Sequence, residues 1–316
     1  MTWYFPFVFL GAGALLGILK FSGSASKVTG FIGNIALVVL MFTIGISVGA
    51  DDVVIANVGI IGYQSAVISL CALFFSILFV ALLEKTLLPL DKLKTKMLDD
   101  QNYTNAQINI GESQKRSPLV WIIPVCIVAG VFYGYFAVTG EALAVVDNCF
   151  LISLAVLYIT VGIGLTQNKG VFQYVKKLGG RIILLPVAIF LGSITGGAVS
   201  GLLLNLKLHV SVLSASGMSY YSITGAFMTQ TYGIQVGTYG FLVNVLREFF
   251  TVLLLPLLIK IGSGAPIAGG AAGNMDTMLV PVSKFVGVEL GFVALIVGTI
   301  LTFSVPILLP LLSQVI

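Results

Sequence analysis

The sequence predicts an all-α integral membrane protein with about eight transmembrane helices and two broken, re-entrant segments. Three observations predict it. Of 316 residues, 58% are apolar and 9% charged, with a mean hydropathy of +1.09, a composition that excludes an ordinary soluble domain. Eight apolar runs approach or exceed the roughly 20 residues a tilted helix needs to cross a bilayer. The cations fall in alternate connections, as the positive-inside rule requires.

The runs lie at 3–19, 31–50, 58–83, 119–138, 143–165, 181–203, 236–261 and 287–313. The first twenty residues, MTWYFPFVFLGAGALLGILK, carry no basic n-region and no A-x-A-like site, so they read as a retained helix. Residues 1–83 form an N-terminal three-helix unit. Residues 84–118 are polar, mixed in charge and without helical period, which reads as a solvated cytoplasmic linker. Residues 119–316 form the C-terminal unit. It contains two apolar segments, 208–232 and 264–283, interrupted by Gly, Ser and Pro.

Lys20 and Lys27 follow the first run. Lys85, Lys92, Lys94, Lys96, Lys115 and Arg116 occupy the linker, and Lys169, Lys176, Lys177 and Arg181 the connection before the sixth run. The loops at 51–57 and 139–142 carry none. The N-terminus is therefore expected outside. With both broken segments re-entrant, Lys260 and Lys284 fall inside, Lys207 outside, and both termini outside. Two full crossings would make ten spans with the same termini, and charge barely separates the two arrangements.

LMFTIGISVGADD at 40–52 resembles LYITVGIGLTQNK at 157–169, with Thr43 matching Thr160 117 positions later. Each copy is the second helix of a three-helix group. An odd number of spans per copy forces opposite orientations, the inverted-repeat pattern of secondary transporters.

The run 236–261, VGTYGFLVNVLREFFTVLLLPLLIKI, holds an arginine and a glutamate at its middle. At 3.6 residues per turn Asn244, Arg247, Glu248 and Thr251 share an arc of about 100°. Ionised side chains at this depth are costly and normally face protein or water, marking a solute path; the structural alternative for Arg247 is a satisfied ion pair. The first broken segment offers Ser216, Gly217, Tyr220, Tyr221 and Ser222, either a polar cavity wall or a small-residue helix contact. The second, GSGAPIAGGAAGNMDTMLVP, ends its glycine run at Asn274 and Asp276. Asp276 suits a helix cap, but a second intramembrane acid, Glu248, lies on the adjacent run. Two carboxylates in one wet cavity can hold a proton or a cation by turns.

SGMSYYSITG (216–225), NVLREFF (244–250) and GGAAGNMDTMLVPV (269–282), with MFTIGIS and YITVGIGL upstream, resemble the lysine exporter LysO family of bacterial inner-membrane proteins. The resemblance covers nearly the whole chain. It implies eight spans, both termini outside, export of L-lysine, and a solvent-accessible acidic pair at Glu248 and Asp276. The chain departs from the family at Met218-Ser219-Tyr220, where members often carry Phe-Gly-Trp.

Moving a monovalent cation out against an inside-negative potential costs about 2.3 kcal/mol per 100 mV. One proton in for one lysine out cancels that cost. The expected partners are thus L-lysine or an analogue, protons and the lipid bilayer. Glu248 and Asp276 are expected to trade proton for ammonium. Arg247, Asn244, Ser216, Gly217, Tyr220, Tyr221, Ser222 and Asn274 complete the expected substrate- and proton-binding set. Arg247 or backbone N–H groups near Gly217 and Gly273 would hold the substrate carboxylate.

The rivals are a broken-helix carrier of Na⁺, H⁺ or an organic anion, an intramembrane aspartyl protease, and a non-transporting scaffold. Two acids against one arginine disfavour the anion carrier. No G-x-G-D run accompanies Asp51, Asp52, Asp147 or Asp276, which disfavours the protease. Cys71, Cys126 and Cys149 lack metal-ligand spacing and His209 is the single histidine, so neither metal nor cofactor is expected. A net charge of +4 is no basis for a nucleic-acid partner.

Overall fold

The computed structural model describes residues 5–18, 23–99, 119–138, 140–167 and 180–316, and every regular element among them is helical. Lys20, Lys115, Arg116, Lys169, Lys176 and Lys177 lie outside the described residues, as does the linker from 100 to 118. Among the described residues six helices are long and apolar enough to cross a membrane: Val28–Gly49, Val58–Thr86, Ala142–Gly164, Gly180–Leu204, Ile234–Ile261 and Glu289–Leu312. Among the described residues, Phe5–Ile18 and Val125–Ala137 are two further apolar helical stretches.

In chain order the elements are α1 (Phe5–Ile18), α2 (Gly23–Gly49), α3 (Asp52–Ala56), α4 (Val58–Thr86), α5 (Leu90–Asp99), α6 (Leu119–Ala137) and α7 (Gly140–Gln167). Then follow α8 (Leu184–Leu204), α9 (Leu208–Ala215), α10 (Tyr221–Tyr232), α11 (Ile234–Ile261), α12 (Gly264–Gly270), α13 (Leu279–Val286) and α14 (Val288–Leu312).

Helices α1, α2, α6 and α7 pack chiefly on one another. A Cβ added to Gly45 would stand 2.4 Å from the Ile127 carbonyl oxygen, and one added to Gly130 2.4 Å from that of Phe42. Backbones this close admit only glycine, and dispersion gains from such contacts replace the hydrophobic drive that lipid does not supply. Gly13 and Gly162 bring α1 and α7 together in the same way. Gly13 precedes Gly130 by 117 residues, as Gly45 precedes Gly162.

The second layer is built on α4 and α11, which run side by side in one direction. Tyr239 donates to Gln64 near their starts and Arg247 to Ser76 further along. Between α8 and α11 the chain doubles back. The His209 ring at the start of α9 stacks on Tyr232 at the end of α10, with centroids 4.7 Å apart and planes at 16°. Residues 211–219, including the turn between the two legs, are buried, as a backbone leaving helical geometry among apolar helices must be. Val210 packs with Ile61 and Tyr239, so this hairpin opens at the N-terminal ends of α4 and α11.

The second hairpin, α12 to α13, opens at the other end. The Gly264 N–H donates to Glu84 Oε2 at 3.0 Å, and Lys94 Nζ donates to the Val286 carbonyl at 2.8 Å. Its 3₁₀ turn, Ala271–Met275, meets the first tip, where the Ala272 N–H donates to the Met218 carbonyl at 2.9 Å. Gly233 and Gly287, at φ of +92° and +93°, join each hairpin to the long helix that follows. This region of φ is one that glycine enters without steric cost.

Within the expected linker, residues 84–99 are helical for most of their length and are anchored at two points. Leu88 and Leu90 are 9% and 0% exposed, and α5 docks beside the second hairpin. Each buried leucine contributes about 2 kcal/mol, which outweighs the polar character of the rest.

Candidate functional site

The midpoint of α11 faces both hairpin tips. Of the four residues expected on one arc, Asn244, Arg247 and Thr251 are at most 1% exposed, while Glu248 is half-buried. Arg247 and Glu248 are consecutive, so about 100° of helix separates their directions, and they serve different neighbours.

Arg247 turns into protein. Nη1 donates to Ser193 Oγ at 2.8 Å, and Nη2 donates to Ser76 Oγ and the Ala268 carbonyl, both at 3.1 Å. Nε donates to the Gly269 carbonyl at 3.5 Å. Four of the five guanidinium N–H groups are thereby engaged. The carbonyls belong to the last turn of α12, where the helix dipole is negative. Carbonyl dipoles and two hydroxyls surround this charge where sequence reasoning weighed a carboxylate or a substrate.

Asn244 holds the first tip. Its Nδ2 donates to the Ser214 and Gly240 carbonyls at 2.9 and 2.7 Å, and its Oδ1 accepts from the Ser219 N–H at 2.7 Å. Gly217 sits against it, where an added Cβ would lie 2.5 Å from Asn244 Nδ2. Met218 and Ser219 have φ of +49° and +74°, and Ala271 in the facing tip +46°. Left-handed non-glycine residues persist only where surroundings over-determine them, and they gather at functional sites. Ser216 and Ser219 hydroxyls are buried without a protein partner, and Ser222 is buried one turn on.

The second tip carries the acids. Thr277 Oγ1 donates to Glu248 Oε1 at 3.0 Å, and the Thr277 N–H donates to Asp276 Oδ1 at 2.5 Å. One residue therefore joins the two carboxylates. Asp276 is exposed and Glu248 half-buried. Gly273 permits the approach, since a Cβ there would stand 2.7 Å from Glu248 Oε1. From the opposite tip Tyr220 lies within electrostatic range of Asp276, and Tyr221 within range of both acids. Asn274 Nδ2 donates to the Ile267 carbonyl at 2.7 Å, leaving its buried Oδ1 without a protein partner.

Sequence reasoning missed Thr277, Ser76 and Ser193. The first is an unremarkable member of N-M-D-T, and the serines lie in long apolar runs with no local mark. Among the described residues no group of three or more His, Cys, Asp and Glu side chains could hold a metal ion.

A family model described as "Lysine exporter LysO" matches residues 124–313. The chain is 29% identical over 161 residues to "Lysine exporter LysO" of Escherichia coli (strain K12), covering 51% of this chain and 54% of that protein. It is 26% identical over 161 residues to a "Putative lysine exporter" of Haemophilus influenzae, covering 51% of this chain and 82% of that one. The match thus spans about half the length of the Escherichia coli relative. No solved structure matches the chain.

Proposed function

The chain belongs to the lysine exporter LysO family, and from that premise we propose that it exports L-lysine or a related basic amino acid across a bacterial inner membrane in exchange for protons. The supporting observation is the pair of carboxylates joined by Thr277 where the hairpin tips meet. Arg247 is engaged by carbonyls and hydroxyls, so the acids govern the charge of the site. That sign favours a cationic cargo over an organic anion.

In this reading eight helices cross the bilayer and both hairpins are re-entrant, from opposite faces. Lys85, Lys94, Arg181, Lys260 and Lys284 belong to the face where the second hairpin opens, and Lys207 to the other. The positive-inside rule makes the first face cytoplasmic and puts both termini outside. The pairs 117 residues apart, Gly13 with Gly130, Gly45 with Gly162 and Ser76 with Ser193, support an inverted repeat. Alternating access then opens one hairpin or the other over a fixed site.

An ionised Glu248 or Asp276 binds an ammonium group of lysine; once protonated it no longer attracts it. Proton and substrate therefore exclude one another, which is what an antiporter requires. With Arg247 committed, the substrate carboxylate is assigned to the first turn of α10. No side chain caps that turn, and its leading N–H groups lack intrahelical partners.

The test is uptake of labelled lysine into proteoliposomes under an imposed pH gradient. Accumulation that collapses with the gradient, and is competed by arginine or ornithine, is the expected result. Absence of gradient-driven uptake overturns the exchange for protons, and absence of lysine–lysine exchange as well overturns lysine as the cargo.

A further inference from the structure

We propose that Thr277 is the proton relay between Asp276 and Glu248. This deepens the exchange reading above and rests on it. The Thr277 hydroxyl donates to Glu248 Oε1 at 3.0 Å, and the N–H of the same residue donates to Asp276 Oδ1 at 2.5 Å, so one residue touches both carboxyls. The two acids differ in access. Asp276 is exposed, whereas Glu248 is half-buried against Gly273.

A threonine hydroxyl carries one proton and two acceptor lone pairs. It can accept from an acid on one side while donating to a carboxylate on the other. Asp276 takes a proton from water. Its O–H bond then breaks as that proton passes to Thr277 Oγ1, while the original Oγ1–H bond breaks and its proton binds Glu248 Oε1. Asp276 ends ionised, Glu248 neutral and Thr277 unchanged apart from rotation of its hydroxyl. The arrangement in the structure, with the hydroxyl proton directed at Glu248, is the one that precedes transfer.

Among the described residues the titratable groups within electrostatic range of the two acids are Tyr220 and Tyr221, at the entry to α10. Arg247 faces away from them. The tyrosines are a competing route, and the choice of variant separates the two. Thr277→Val keeps the shape and removes the proton; Thr277→Ser keeps the proton.

The experiment compares wild type, Thr277→Val, Thr277→Ser, Glu248→Gln and Tyr221→Phe in proteoliposomes. Lysine movement driven by a pH gradient is read beside lysine–lysine exchange at equal pH, which moves no proton. Thr277→Val is expected to lower the gradient-driven rate about 100-fold and the lysine–lysine rate far less, with Thr277→Ser near wild type. Thr277→Ala replaces the valine variant should that one fail to fold. Gradient-driven transport retained by Thr277→Val but lost in Glu248→Gln overturns the relay and leaves the exchange reading standing. Loss in Tyr221→Phe with retention in Thr277→Val reassigns the route to the phenol. A wild type that ignores the gradient overturns the exchange reading, and the relay with it.

Discussion

The Ser76 and Ser193 hydroxyls lie 3.1 Å apart across the α4–α8 contact, and both accept from the Arg247 guanidinium. Two helices 117 residues apart thus share one cation contributed by a third. The same guanidinium holds the last carbonyls of α12, so α4, α8, α11 and the second hairpin are fastened at a single buried charge.

Replacing that charge tests whether it fastens structure or binds cargo. Arg247→Met leaves two carbonyls and two hydroxyls short of a donor at a cost of about 3 kcal/mol, roughly 5 °C in melting temperature for a chain of this length. Arg247→Lys cannot fork to four acceptors and is expected to melt between the two. Melting in detergent, followed with and without lysine, is the measurement. Unchanged melting together with a raised KM for lysine would return Arg247 to the substrate carboxylate.

Carboxylate chemistry sets the sign of the pH dependence. Protonated acids no longer attract ammonium, so the apparent KM for lysine at the side carrying the site should rise as pH falls there. Glu248→Gln or Asp276→Asn removes one charged partner. Each should weaken lysine binding about 10-fold or more, a charge-assisted hydrogen bond contributing about 1.5–3 kcal/mol, and flatten the pH profile. Initial rates across a pH series provide the check. A steep profile persisting in both variants assigns the titration elsewhere.

Much of the frame was legible because lipid solvation imposes length and composition on every crossing. The six long apolar helices coincide with six expected runs, and the interruptions at 216–220 and 271–278 fall where Gly and Ser cluster. Glu248 and Asp276 stood out since ionised groups are rare among apolar residues. What stayed hidden depends on contacts distant in sequence. Nothing local marks Ser76 as an acceptor for a residue 171 positions away. Thr277 gains meaning only beside Glu248. Helix α5 eluded the search for periodicity because ten residues offer fewer than three turns, and Leu88, which anchors the corner, precedes the helix.

That corner gives a prediction about the second hairpin. Glu84 accepts from the Gly264 N–H, Asp91 Oδ1 accepts from Ser263 Oγ at 2.8 Å, and Lys94 reaches the Val286 carbonyl. Both legs are therefore tied to the α4–α5 junction. Losing the Glu84 contact resembles losing an N-cap, about 1 kcal/mol, so Glu84→Ala should speed hydrogen exchange in residues 264–270 about 5-fold. Lys94→Ala should act on 279–286 instead. Exchange followed by mass spectrometry reads both, and equal protection in the variants and wild type would show that the ties are idle.

The doubled-back course of the hairpins has its own consequence for accessibility. His209 stacks on Tyr232, so the two ends of the first hairpin share a face, while Ser263 and Phe285 sit near the ends of the second at the opposite face. After replacement of Cys71, Cys126 and Cys149, single cysteines are placed at these four positions by His209→Cys, Tyr232→Cys, Ser263→Cys and Phe285→Cys. A membrane-impermeant thiol reagent applied outside intact cells should label positions 209 and 232 and spare 263 and 285; inverted vesicles should reverse the pattern. A segment that crossed would expose its ends to opposite compartments. Labelling of 209 and 232 from different sides would therefore refute re-entry for the first hairpin, as labelling of 263 and 285 from different sides would for the second. In either case the ring stack or the α5 ties would have to be absent from the molecule in the membrane.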